Sequence, residues 1–306
     1  MKKLTGSFKS SSGLCDCSYY IYTPEKPKAA VMLSHGMCEY IERYKGLAEF
    51  LCESDIALCG NDHMGHGNSL SDEIEPGYFG HEHGTMRMAQ DLHRMKKVME
   101  HAFPDIPHFL VGHSMGSFLA RIYFSKYPED RWNAMILLGS GGPLAGGALL
   151  QRHLHHMTRL KGDRWKYYFG KTLALKVFNL RTENYRTPSD WLTRDDKEVD
   201  KFRADPKCAF TFTVAGYRDL VNAMVTSNSD LVIANTRTDV PMLFMSGGMD
   251  PVGGYGSGVR RAAELYRSRG CDVTLRIYRE ARHELVNELV RDEVKADILD
   301  FLIKRI

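Results

Sequence analysis

The chain has 306 residues, with 41 Lys plus Arg against 38 Asp plus Glu and 43% hydrophobic residues. That length holds one large domain or two small ones, and the composition excludes a disordered, collagen-like or coiled-coil chain. A net charge of +3 with no concentrated basic stripe argues against a nucleic-acid partner.

The start, Met1-Lys2-Lys3, has no apolar stretch behind it, and Leu4 to Ser12 is polar and glycine-containing, so no secretory signal is expected. No run of 18 apolar residues occurs, so no membrane span is expected. Cys15 to Thr23 (CDCSYYIYT) reads as antiparallel strand material. Cys15 and Cys17 would share one strand face, too far apart for easy bridging. The seven cysteines, an odd number, read as reduced and point to a cytoplasmic compartment.

Continuous apolar runs follow at Ala29 to Leu33, Ile56 to Cys59, His108 to Gly112, Ala134 to Leu138 and Pro241 to Met245. Runs that do not alternate suit strands buried on both faces of a parallel sheet. Amphipathic stretches at Tyr44 to Glu53, Thr85 to His101, Ser117 to Tyr127, Gly258 to Arg269 and Glu288 to Lys304 predict helices between and after them. Leu289, Val290, Val294, Ile298, Leu299 and Leu302 form the apolar stripe of the last. The alternation predicts an α/β fold with a mostly parallel sheet flanked by helices. From Pro143 to Asp239 the strand-like runs disappear, while aromatic and basic residues thicken. This predicts a core of residues 1–142 and 240–306, with a mostly helical insertion at 143–239.

Gly112-His113-Ser114-Met115-Gly116 stands between a strand and a helix, the arrangement of a nucleophile elbow. Ser114 is the expected nucleophile. With the chain order serine, acid, histidine, Asp250 falls in a turn just past the Pro241 to Met245 strand, where catalytic side chains collect. Of thirteen histidines only His283 lies beyond Asp250. It is the expected base. The oxyanion donors are expected to be the N–H groups of Met115, next to the serine, and of Met37, in the loop after the Ala29 to Leu33 strand. His35 in that loop is expected to hold it through hydrogen bonds rather than act as a base. His81-Glu82-His83 and His153-Leu154-His155-His156 lack a clear third and fourth ligand, so no metal is expected.

His35-Gly36-Met37-Cys38-Glu39-Tyr40 with Arg43-Tyr44 resembles a signature of monoacylglycerol lipases and bacterial lysophospholipase-like serine hydrolases. Asn61 to Ser69, the Gly112 to Gly116 elbow, Ser246 to Val252 and Arg282-His283-Glu284 are similar to further segments of that family, in the same order. The insertion stretches Thr187 to Asp195 and Ala204-Asp205-Pro206 resemble its bacterial members. The resemblance implies an α/β-hydrolase core with an inserted helical cap and no metal or organic cofactor. Tyr40 stands where the signature often has His. Val286 stands where the mammalian enzymes carry a histidine that helps hold glycerol. Glu39 and Arg43 are candidates for binding a polar group of the substrate, or equally for a loop-stabilising ion pair at a spacing of four.

The expected activity is hydrolysis of carboxylic esters, with monoacylglycerol, lysophospholipid or a related acyl ester as the small-molecule substrate. Transient contact with lipid surfaces is expected. An aminopeptidase, thioesterase or cofactor-free perhydrolase on the same fold is the alternative, with a non-catalytic ligand-binding protein third.

Overall fold

In the computed structural model, which describes residues 1–306, the apolar runs become the middle of an eight-stranded sheet. Its strands are β1 (Lys2–Lys9), β2 (Asp16–Thr23), β3 (Ala29–Ser34), β4 (Ile56–Asn61), β5 (His108–His113), β6 (Ala134–Leu138), β7 (Met242–Gly247) and β8 (Val273–Tyr278). Their order across the sheet is β1-β2-β4-β3-β5-β6-β7-β8. β1 and β2 pair antiparallel, as do β2 and β4, and the remaining pairings are parallel.

Every residue of β3 to β7 is buried. The pleat sends alternate side chains to two cores: Ala30 and Met32 to one, Val31 and Leu33 to the other. The first core is closed by α2 (Gly84–Ala102), α3 (Met115–Lys126) and α9 (Ser257–Ser268). The second is closed by α1 (Lys45–Cys52) and α10 (Arg291–Ile303). A sheet covered on both faces leaves the carboxyl ends of its parallel strands as the natural place for a site.

Between β6 and β7 the chain forms α4 (Gly147–Lys161), α5 (Tyr168–Phe178), α6 (Asp196–Ala204), α7 (Val214–Thr226) and α8 (Asp230–Ala234). Its extended content there is a single bridge, Lys166 to Thr213. None of the residues of α5 is buried, and Phe169 is 70% exposed.

Two elements depart from the sequence reading. Leu4 to Ser12 contributes most of an edge strand, β1, whose exposed face and Lys2, Lys3 and Lys9 hide it from an apolar-run search. Gly6 on β1 lies under Tyr19, where a Cβ would come 2.3 Å from the phenol oxygen. The last helix starts at Arg291 rather than Glu288, because the wholly buried Glu288 carboxylate instead accepts bonds from Arg194, from the Arg282 N–H and from the Leu289 N–H. Leu289 is therefore exposed and outside the stripe. All seven cysteines are buried and unpaired.

Candidate active site

Ser114 sits at the junction of β5 and α3 with φ 50° and ψ −120°, a strained conformation for a residue with a side chain. Close packing explains the flanking glycines. A Cβ on Gly116 would stand 2.1 Å from the Ser34 carbonyl oxygen, and one on Gly112 would stand 2.7 Å from the Ser117 Cα. The turn is held by the Ser114 N–H donating to the Leu138 carbonyl at 2.9 Å, and by the Ser117 hydroxyl donating to the Ser114 carbonyl at 2.6 Å. Ser114 remains partly accessible.

Asp250, in the turn after β7, is fully buried, and its Oδ1 is 3.0 Å from His283 Nδ1. The same oxygen accepts the Val252 N–H at 2.8 Å. A carboxylate only accepts, so the shared hydrogen belongs to Nδ1 and the lone pair of the neutral imidazole to Nε2. His283, in the loop after β8, packs its ring 5.0 Å from that of His113, the residue before Ser114. A Cβ on Gly139 at the end of β6 would meet its Cε1 at 3.0 Å. Serine, aspartate and histidine thus come from three strand ends on one rim.

The loop after β3 passes close above the elbow, where a Cβ on Gly36 would lie 3.1 Å from the Ser114 Cβ. His35 is fully buried and holds this loop. Its Nε2 accepts the His63 N–H at 2.8 Å, so its Nδ1 donates to the Gly36 carbonyl, also at 2.8 Å. Burial lowers its pKa and keeps it neutral. The Met37 N–H makes no backbone bond. The Met115 N–H opens α3 and has no intrahelical partner. Met115 directly follows Ser114, and Met37 follows Gly36 in the loop that passes above the elbow.

A family model described as serine aminopeptidase, S33, matches residues 25–290. Human monoglyceride lipase is 30% identical over 277 residues, which cover 89% of this chain and 80% of the human protein. The chain belongs to this serine hydrolase family. A monoacylglycerol lipase of Mycolicibacterium smegmatis is 24% identical, covering 94% of this chain and 93% of that protein. A carboxyl esterase from Bacillus coagulans, solved in complex with glycerol, superposes with a TM-score of 0.92 at 29% identity, covering 100% and 99% of the two chains. The fold is that of the α/β-hydrolases, and the activity is hydrolysis of carboxylic esters.

Behind the rim of this hydrolase lies a buried chain of charges. Glu39 accepts hydrogen bonds from Tyr44 at 2.8 Å, from His113 Nδ1 at 2.7 Å and from Arg43 at 3.0 Å. Arg43 turns its other edge to Glu284, with two bonds of 2.7 and 2.8 Å. Glu39 and Glu284 are both nearly inaccessible. Burial alone would raise their pKa values, but His113 beside Glu39 and Arg43 beside Glu284 hold both carboxyls below the ordinary range. For His113 burial opposes the charge, and the Glu39 carboxylate outweighs it, so its pKa is raised. Glu39 is bonded to its own loop, and Arg43 to Glu39 and Glu284. The sequence offered the spacing of Glu39 and Arg43, but not the parts of His113 and Glu284. Their positions beside Ser114 and His283 were the available signal.

No group of three or more His, Cys, Asp or Glu side chains in the hydrolase is arranged to hold a metal ion. His81, Glu82, His83 and His155 line one polar cleft of about 450 Å³ between α2, α4 and α7. There His81 pairs with Asp163, while His153 turns to the Tyr167 hydroxyl at 3.0 Å.

Proposed function

We propose that the protein hydrolyses monoacylglycerols or related single-chain acyl esters through Ser114, His283 and Asp250. The observation that carries the mechanism is the Asp250–His283 bond, which leaves Nε2 as the proposed base on a ring packed 5.0 Å from that of His113, the neighbour of the strained Ser114. Nε2 takes the Ser114 proton as Oγ attacks the ester carbonyl, and Asp250 stabilises the imidazolium that forms. The N–H groups of Met37 and Met115 hold the oxyanion, an effect worth about 3 kcal/mol per donor. The imidazolium then protonates the departing alcohol, and water cleaves the acyl-serine by the reverse route.

In this reading residues 1–142 and 240–306 are the catalytic core and 143–239 the cap. Glu39 and Arg43 serve the loop rather than the substrate, a role that their burial and paired contacts support. No cofactor enters the scheme, and the seven unpaired cysteines support a cytoplasmic location.

The aminopeptidase alternative needs an acidic cap residue free to take the substrate amine. Of the two candidates, Asp190 is buried and already accepts the Arg186 N–H and the Thr187 hydroxyl, while Glu183 is exposed. Ester hydrolysis is the reading we adopt on the likeness to the monoacylglycerol lipases and the carboxyl esterase. Each fully buried methylene adds about 0.8 kcal/mol of binding, close to fourfold in kcat/KM. Across acetate, butyrate, octanoate and palmitate esters, kcat/KM is expected to rise until the pocket is full, with proline amides poor. A steady fall from acetate would refute the long-chain reading.

The exposed face of the cap supports contact with a lipid surface. Tyr168, Phe169, Leu173, Val177 and Leu180 are exposed along and just after α5. From Gly147 to Arg186, nine Lys or Arg face two Asp or Glu, a local net of +7 in a chain of +3. Sedimentation with vesicles is expected to retain more protein on phosphatidylglycerol-containing membranes than on neutral phosphatidylcholine, and to lose it with salt. Phe169→Asp should weaken this retention and leave hydrolysis of a soluble short ester intact. Equal retention on both vesicles would remove the electrostatic part of the proposal.

A further inference from the structure

The loop that carries His283 is tied to one turn of the inserted segment. The Glu284 N–H donates to the Leu192 carbonyl at 2.7 Å. The Arg282 guanidinium donates to the carbonyls of Asp190 and Thr193 at 2.6 and 3.1 Å. Arg194 pairs with the buried Glu288, which also accepts the Arg282 N–H. In the middle of this turn the Trp191 ring packs against the His283 imidazole, with centroids 4.9 Å apart and planes tilted by 33°. Phe178, the last residue of α5, backs Trp191 from 4.5 Å. The His113 ring also packs against the imidazole, at 5.0 Å.

We propose that Trp191 is a positioning residue for the ester hydrolysis, holding the His283 ring in register with Ser114 and favouring its protonated form through the indole face. The inference rests on the assignment of His283 as the base. An indole face carries the negative side of its quadrupole, so it stabilises a cation stacked on it and does little for a neutral ring. In the reaction itself the imidazole gains its charge as Ser114 attacks. The contact therefore strengthens toward the transition state, which places its effect in kcat rather than in KM. The turn's backbone bonds would hold the loop without the indole; the ring itself adds orientation and charge stabilisation.

The test compares Trp191→Leu, Trp191→Phe and His283→Ala on one soluble ester, with thermal unfolding and a pH profile for each active variant. Trp191→Leu is expected to lower kcat about tenfold, within the range of a partly desolvated cation–π contact, and to change KM less than twofold. Its acid limb of kcat/KM should move to lower pH, because the imidazolium loses a stabilising neighbour. Trp191→Phe should recover most of the rate. A raised KM with kcat unchanged would make Trp191 only a wall of the pocket and overturn the inference. So would equal loss in the Leu and Phe variants accompanied by a lowered Tm. Full activity in His283→Ala would instead remove the assignment of the base.

Discussion

Ser114→Ala is expected to lower kcat by about 10⁵ to 10⁶ on a soluble ester and to abolish labelling by a fluorophosphonate, leaving Tm little changed. The size follows from the way the site works. An unactivated serine hydroxyl is a weak nucleophile, and the other hydroxyl at the elbow, on Ser117, is buried and committed to the Ser114 carbonyl. His283→Ala should fall almost as far, since the Asp250 bond to Nδ1 leaves Nε2 of this histidine as the proposed base. Asp250→Asn keeps the shape but turns an acceptor into a mixed donor and acceptor, so the histidine loses its fixed tautomer, at a cost of about 10⁴ in kcat. Intact-mass spectra of each variant after the probe decide the matter. Unchanged labelling of Ser114→Ala would place the nucleophile elsewhere.

The sequence revealed what burial and steric need impose on it. β3 to β7 are buried on both faces, which forces the continuous apolar runs that identified them. Gly112 and Gly116 have no room for a side chain, so the elbow was legible as a motif. β1 was not, because an edge strand with one solvated side carries Lys and Ser as readily as a loop does. Likewise the charge chain from His113 to Glu284 joins residues up to 241 apart in sequence. Only its one local pair, Glu39 and Arg43, leaves a helical spacing to read. Trp191 lies in the Thr187 to Asp195 stretch that resembles bacterial members, but nothing there pointed to His283 as its partner. Its contact with His283 depends on how the inserted segment folds back, and no periodicity encodes that.

Arg43→Met is expected to destabilise the protein by about 3–5 kcal/mol, because it leaves two buried carboxylates without their shared cation. In a chain of this size that corresponds to a fall in Tm of about 5–8 °C. The pH dependence separates this cause from lost packing. Glu39 and Glu284 have folded pKa values held below the ordinary glutamate value of 4.5, so their contribution is fully present above that value and is lost as pH falls through the depressed ones. His113 has the opposite sign. Its raised folded pKa contributes stability that is complete below 6.5 and fades as pH rises through the raised value. The difference in unfolding free energy between the wild type and Arg43→Met should therefore be full above about pH 4.5 and shrink in acid, and His113, whose charge Arg43 opposes, does not enlarge it. A packing defect would give a difference independent of pH. Activity supplies a second readout. Glu39 is bonded into the loop that carries Met37, His113 precedes Ser114, and Glu284 follows His283, so one guanidinium links three segments of the site. A shift of about 1 Å in any of them is enough to lower kcat roughly a hundredfold. Arg43→Lys keeps the charge but cannot offer Glu284 two parallel bonds while also reaching Glu39. It should restore much of the stability and little of the rate. Full activity in Arg43→Met would show that the three loops hold their places without the charge chain.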